Sequence, residues 1–403
     1  MKKHIAPDSR VEKEILAVED FLTNKVPETY SAWAWTKIPE ELFDKLDSYH
    51  RFAALELEAP PVDWDSEFSN LGVEGAVDGH SHIEGYPKNP ELVEELERIL
   101  DRAGIRYIVN LGIETLGDDF IRELEEGWLK GPLAERVLSF PTFEWQFDRH
   151  GFVEESCAFL TRVRDLGVRG MKVHKELGIT VTAGGKVVRL TDTRVKEIFS
   201  HAGSLGLPVW IHYGDPYNFF MPLEGNKRKR ELTCFPDWHH YSRGFDEQAY
   251  WRLHEDFFRL LEDTPGTKFN VPHLANYPWD KIDEFAGLLL SHDNLYSDVS
   301  ARMAVLGKGK CLGTRESRTE KAREFLTRCR DKILWGTDIL PTDRLYKLWA
   351  MLLRSDIEDI DYTWASFYPG QGDWLVDGLG LDKELLEKLC RDVAMGLIGL
   401  RAD

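Results

Sequence analysis

Long hydrophobic runs are missing from these 403 residues: nowhere do apolar side chains extend to the roughly 20 needed to cross a bilayer. The start, Met1-Lys2-Lys3-His4-Ile5-Ala6-Pro7-Asp8, has basic residues with no apolar stretch behind them. A secretory signal is therefore not expected, and the expected location is cytoplasmic. Cysteine is scarce and unpatterned. The five, Cys157, Cys234, Cys311, Cys329 and Cys390, are odd in number and never spaced as CxxC. That argues against a disulfide framework and a cysteine-rich zinc site, and suits buried thiols in a reducing compartment. Positive charge is also short: 51 Lys and Arg against 70 Asp and Glu leave a net charge of −19. Such a chain repels nucleic acid and anionic lipid, so neither nucleic acid nor membrane is an expected partner, and the acid excess reads as a solvated surface. The only dense basic run, Lys227-Arg228-Lys229-Arg230, is too short and isolated to alter this. No GxGxxG or P-loop pattern follows any strand-like run, which makes a nucleotide-binding sheet the weaker alternative. There is no internal repeat and no low-complexity tract.

What is present is a rhythm. Residues 1–75 read as a helical N-terminal extension, with helical spacing from Val11 to Leu22, a second helix from Pro39 to Phe52, and a break at Ala59-Pro60-Pro61. From 76 to 403, short apolar or β-branched runs alternate with helical stretches. The candidate strands are 76–78, 106–110, 137–140, 168–173, 208–211, 268–271, 294–297 and 332–335, eight in all. Strand–helix alternation implies a parallel sheet, and eight units in one run favour an α/β fold closed as a (β/α)₈ TIM barrel. The connection between the fifth and sixth strands, 214–266, is unusually long. It reads as a loop insertion serving as a lid or pocket wall, with Trp238, His239 or Tyr241 within reach of the pocket.

Polar residues gather at the strand ends, where barrels of this kind place their chemistry. The first strand ends in Asp78-Gly79-His80-Ser81-His82, and residues i and i+2 of an extended chain project to one side. Taken alone, such a pair is weak evidence. The fourth strand ends in Gly170-Met171-Lys172-Val173-His174, the fifth in Trp210-Ile211-His212, the sixth in Val271-Pro272-His273 and the eighth in Leu334-Trp335-Gly336-Thr337-Asp338. Each could be a satisfied core histidine or a helix cap, but all of them in barrel order are hard to credit to chance. Three histidines and one aspartate around one divalent ion leave room for a water, whose pKa such an ion lowers from 15.7 to about 7. Zinc heads the candidates, with Mn, Fe or Ni as alternatives. Asp338 would be both ligand and base, and His273 would polarise the substrate or act as acid.

From residue 76 to about 400 the chain resembles the amidohydrolase superfamily, and within it the branch of TIM-barrel metal-dependent hydrolases and decarboxylases. The likeness is clearest at Ile211-His212-Tyr213-Gly214-Asp215-Pro216, His273-Leu274-Ala275-Asn276-Tyr277-Pro278, Asp298-Val299-Ser300-Ala301-Arg302 and Ile333-Leu334-Trp335-Gly336-Thr337-Asp338. The resemblance implies that His80, His82, His212 and Asp338 bind the metal and that His273 is an acid–base group beside it. It also implies that Lys172, followed by His174, faces the substrate unmodified rather than bridging two metals. Arg302 could grip a carboxylate or form a surface ion pair, and Lys172, His174, Arg302 and Trp238 are the expected substrate-binding residues. Two departures stand out: Val393 replaces an asparagine of the family's last helix, and Asn226-Lys227-Arg228-Lys229-Arg230 replaces an acidic-aromatic stretch. Three functions follow. The first is hydrolysis of an amide, ester, lactone or C–N bond of a small molecule, the second non-oxidative decarboxylation, and the third a non-catalytic barrel. The intact ligand set disfavours the third; family numbers favour the first. A homo-oligomer is left open.

Overall fold

The computed structural model describes residues 68–83, 90–112, 117–308, 318–339, 341–358 and 375–400, together with 360 and 362. The helices expected at 11–22 and 39–52 lie outside the described residues. Eight strands follow in the expected order: β1 (Ala76–Ser81), β2 (Ile105–Asn110), β3 (Val137–Ser139), β4 (Met171–Val173), β5 (Val209–Ile211), β6 (Phe269–Val271), β7 (Leu295–Asp298) and β8 (Ile333–Leu334). Within β1–β3 and within β4–β8, every neighbouring pair is parallel.

Two seams join these sets into a ring. Between β3 and β4, Lys172 N–H donates to the Pro141 carbonyl at 2.8 Å. Between β8 and β1, Gly79 N–H donates to Trp335 C=O at 3.0 Å, and the N–H groups of Thr337 and Asp338 both donate to His80 C=O at 2.9 and 2.7 Å. Gly336 permits the second seam: a Cβ there would lie 2.6 Å from the His80 nitrogen. The result is a closed (β/α)₈ barrel.

Period-two alternation along the strands gives two apolar layers. Ala76, Ile108, Met171, Val209, Phe269 and Ile333 face outward onto the helices. Those helices carry apolar residues at three- and four-residue spacing. Glu247–Asp263, for example, buries Ala249, Tyr250, Leu253, Phe257, Leu260 and Leu261, and its first turn is capped by the Asp246 carboxylate accepting from Ala249 N–H. Inside the ring, Val77, Val109, Phe140, Trp210 and Leu334 share a second cluster with C-terminal residues that include Val393, Leu397 and Ile398. Trp210 donates its indole N–H to Gly79 C=O at 3.0 Å and meets the Phe140 ring edge-on with centroids 5.0 Å apart.

Three features fall outside the simple alternation. A two-stranded antiparallel ribbon, Thr182–Ala183 with Lys186–Val187, turns on Gly184-Gly185, both at positive φ. The 214–266 connection contains the regular barrel helix Glu247–Asp263, so the inserted part is 214–246, built of the short helical turns Tyr217–Phe220, Lys229–Cys234, Pro236–Trp238 and His240–Arg243. Finally, β6 runs into a left-handed turn, with φ of 59°, 53°, 55° and 51° at His273, Leu274, Ala275 and Asn276. L-residues avoid this region because Cβ crowds the following carbonyl. The turn is held in place by the Asn276 side chain donating to Gly214 C=O at 2.8 Å and by Tyr250 O–H donating to Asn276 C=O at 3.0 Å. Among the described residues no helix is long and apolar enough to cross a membrane.

Candidate metal centre at the barrel mouth

The register of β1 shifts between Asp78 and Ser81, an irregularity of the kind that re-aims a side chain, and His80 sits fully buried there. Its Nδ1 lies 3.0 Å from Asp298 Oδ2 and 3.0 Å from Ser300 Oγ. The ionised carboxylate only accepts, so the ring proton sits on Nδ1, and a neutral His80 turns the Nε2 lone pair toward the mouth. That lone pair meets Asp338 Oδ1 at 3.0 Å. Two acceptors this close require a proton or a cation between them. His82 Nε2 and His273 Nε2 each lie 3.7 Å from the same oxygen. His273 repeats the logic of His80: its Nδ1 is 2.8 Å from Ser300 C=O, which can only accept, so its Nε2 also presents a lone pair. Burial drops the His273 pKa to about 3, which keeps the ring neutral.

Asp298 organises this cluster. Its Oδ2 accepts from the Asn270 side chain at 2.8 Å, and its Oδ1 from the N–H groups of His273 and Ser300 at 3.0 and 3.1 Å and from the Ser300 hydroxyl. Burial works against its charge, but His80 and these donors hold its carboxyl well below the usual range. Desolvation likewise opposes the charge on Asp338, yet His273, His80 and His82 hold it well below the carboxylate range. Beneath the mouth, Asp78 accepts from Thr337 N–H at 3.0 Å, Thr337 O–H at 2.8 Å and Tyr346 O–H at 3.0 Å. It thereby fixes the loop that carries Asp338, and burial pushes its own pKa up to about 6.

His212 follows β5 with its ring centroid 4.9 Å from that of His273. Its Nε2 lies 3.3 Å from Asp215 Oδ1 rather than against Asp338, and burial lowers its pKa. Asp215 also accepts from His240 Nε2 at 2.7 Å and pairs with Lys175 at 3.2 Å, whose ammonium lies 4.4 Å from the centre of the Trp238 ring. The inserted segment therefore reaches the site through His240. His239 turns instead to Met221 C=O at 3.0 Å, and Tyr241 is exposed. Lys172 is fully buried. His174 has its ring 6.5 Å from that of His82, and burial together with Lys172 pulls its pKa far down. Trp238 stacks on Phe219 and Phe235. Arg302 is buried, so it is no surface ion pair.

His80, His82, His273 and Asp338 are thus gathered at one point, His212 adjoins it through His273 and His174 through His82, Lys172 acts on His174, Trp238 meets Lys175, the partner of Asp215, and Arg302 donates to Tyr277 C=O. Donor atoms of His80, His82 and Asp338 fall within 4.8 Å of one another, as do those of His80, His273 and Asp298. The second group uses His80 Nδ1 and is a hydrogen-bond network; the first faces the mouth. The buried Nε2 atoms of His80 and His212 make no hydrogen bond of good geometry. Imidazole lone pairs around a carboxylate, with a ring fixed from behind by a second carboxylate, form a donor set that fits a divalent cation. Sequence reasoning assigned no role to Asp298, Ser300, Asn270, Asp215 or His240. For Asp298 a signal existed, since it ends the seventh run just as the chosen residues end theirs.

A family model described as Amidohydrolase matches residues 150–400. The chain belongs to the amidohydrolase family. A Staphylococcus aureus protein assigned to the amidohydrolases shares the fold with a TM-score of 0.50 at 14% identity, over 81% of this chain and 99% of that one. An uncharacterised TIM-barrel protein from Bordetella bronchiseptica aligns with a TM-score of 0.46 at 16% identity, over 77% and 83% of the two chains. A dihydroxybenzoic acid decarboxylase from Polaromonas sp. JS666, solved with manganese and the inhibitor 2-nitroresorcinol, gives 0.48 at 13% identity over 82% and 98%. Among curated proteins none matches the sequence.

Proposed function

We propose that this protein is a metal-dependent hydrolase of small molecules, in which His80, His82, His212 and Asp338 hold one divalent cation while Asp338 and His273 move protons. The observation that carries this reading is the meeting of three imidazole nitrogens on one carboxylate oxygen, with His80 at 3.0 Å and His82 and His273 at 3.7 Å from Asp338 Oδ1. When bound, the cation supplies positive charge that acidifies a water and polarises the amide, ester, lactone or C–N bond to be cleaved. Zinc is the first choice for this donor set, and manganese, iron or nickel are alternatives.

Asp338, kept ionised by its imidazole neighbours, accepts the proton of the attacking water without leaving its place. His273 starts neutral with its proton on Nδ1, so it must take a proton at Nε2 before it hands one to the leaving group. Asp298 and Ser300 keep the His80 and His273 rings in the tautomer this requires. Lys172 and His174 flank the reacting groups beside His82, and Trp238 and Arg302 bound the outer part of the substrate space.

Non-oxidative decarboxylation is a second reading, favoured by the buried cations Lys172 and Arg302, which suit an acid substrate. Asp338 would then first take up a proton from solvent and pass it to the ring or chain carbon as the bond from that carbon to the departing CO₂ breaks. Metal analysis of protein purified without chelator, joined to a screen of amides, lactones and carboxylic acids in ¹⁸O-water, tests both. Hydrolysis predicts about one metal per chain and ¹⁸O in the product. Release of CO₂ with no ¹⁸O in the organic product would establish the second reading, and full activity in metal-free protein would defeat both.

A further inference from the structure

We propose that Arg302, just past the end of β7, binds a carboxylate group of the substrate remote from the bond that reacts. This rests on reading the barrel mouth as the site of reaction, and it adds the substrate class.

Arg302 is tied to the centre by its own backbone. Asp298 and Ser300, which hold His80 and His273, lie four and two residues before it, and its N–H donates to Val299 C=O at 3.0 Å. Its side chain is only 6% exposed. One guanidinium nitrogen, Nη2, donates to Tyr277 C=O at 3.3 Å, while Nε is buried with no hydrogen-bond partner. Among the described residues no carboxylate pairs with it. A guanidinium stays charged, and a buried charge without a counter-ion destabilises a fold unless a ligand completes it.

The buried cation of the insert, by contrast, has its counter-ion. Arg228 is buried, lies 5.0 Å from the centre of the Phe219 ring, and donates to Glu231 at 2.9 Å. Burial, and next the positive charge of Arg228, lower the Arg302 pKa to about 9, which leaves the group charged at neutral pH. Glu231 offsets Arg228, so Arg302 remains as one uncompensated positive charge, which matches a monoanion better than a phosphate dianion. The Tyr250 hydroxyl is already committed to Asn276 C=O. The planar donor fork of arginine matches a carboxylate two-point fashion. A hydrolysed substrate would therefore carry an acid away from its scissile bond, and a decarboxylated one would carry two carboxylates.

The test is calorimetric titration of the full chain, metal-loaded and metal-stripped, with benzoate, its neutral counterpart benzamide, and inorganic phosphate. Metal content and thermal unfolding are measured in parallel. Benzoate should bind both forms, and benzamide at least about tenfold more weakly, the scale of one hydrogen bond to a charged group. Arg302→Met should lose benzoate binding at unchanged metal content and should melt no lower than wild type, since it removes an uncompensated charge. Arg302→Lys should recover part of the binding. The proposal is overturned if Arg302→Met binds benzoate as wild type does, if benzoate binds only the metal-loaded form, if phosphate is preferred, or if Arg302→Met melts well below wild type. Absence of metal from the wild-type protein would instead sink the reading of the centre, and the metal-stripped titration would still decide the role of Arg302.

Discussion

Inside the ring, Val77, Val109, Phe140, Trp210 and Leu334 pack against Val393, Leu397 and Ile398 with no charged side chain among them. Toward the mouth of the same ring, Lys172, His80, His212, His273 and Asp298 are also buried, and all five are ionisable. The lower layer gains from every apolar contact. The mouth gains nothing from burial itself, because each polar group there must be satisfied by another. The barrel thus spends its packing in one half and its chemistry in the other, and substitutions in the two halves should separate cleanly.

The sharpest test of that division is Asp338→Asn. It keeps the shape and one oxygen but removes the base, and turnover should fall about 10²–10⁴-fold while the melting temperature and much of the metal are retained. In the same series His212→Ala should strip the metal, whereas His273→Asn should slow turnover at near wild-type metal content. If His273→Asn loses metal as His212→Ala does, His273 is a ligand as well. In the lower layer the pattern should invert. Phe140→Ala should destabilise the fold by about 3–5 kcal/mol in a denaturant titration, with activity per folded molecule preserved; loss of activity without loss of stability would break the comparison. Gly170→Ala is expected to cost about 1–3 kcal/mol, because the added Cβ would overlap the Phe140 ring. Pairing it with Phe140→Leu should recover part of that cost, and simple additivity would show that the two do not touch. The smallest effect concerns the left-handed turn. Ala275→Gly removes the Cβ conflict at φ 55° and should be neutral to about 1 kcal/mol stabilising after the unfolded-state entropy is counted. Ala275→Val should be clearly destabilising by the same measurement.

The strands were legible because the barrel asks for little: a short apolar run bounded by polar residues, repeated with helices between. The runs at 208–211 and 268–271 each lie one residue from the observed β5 and β6. The candidate site was legible because His80, His82, His273 and Asp338 are ends of those runs, so that finding the strands also found the residues. Relations set by side-chain contact across the ring were not legible. Nothing in a linear string reveals that Asp298 holds His80 from 218 positions away. Nor does it show that Asp215 turns to His240 instead of solvent. The left-handed turn was unreadable for a different reason: His273-Leu274-Ala275-Asn276 contains no glycine, and tertiary bonds at both of its ends, from His273 to Asp298 and Ser300 and at Asn276 to Gly214 and Tyr250, hold that conformation.

The seam between β8 and β1 has a kinetic consequence. It joins the first and last strands of the ring, with Gly336 pressed on the His80 backbone and both Thr337 and Asp338 bonded to its carbonyl. Contacts between such distant stretches of chain form late, after the intervening units have shortened the loop to be closed. His80 and Asp338 should therefore meet in one of the last steps of folding, and ring closure and completion of the mouth become a single event. Anything that bridges the two side chains acts as a clasp across the barrel. It draws the population away from forms in which the ring has sprung open, by an amount that grows with the logarithm of its concentration. Amide exchange at Thr337 and Asp338, slow with the clasp in place and fast without it, is where that coupling would first be seen.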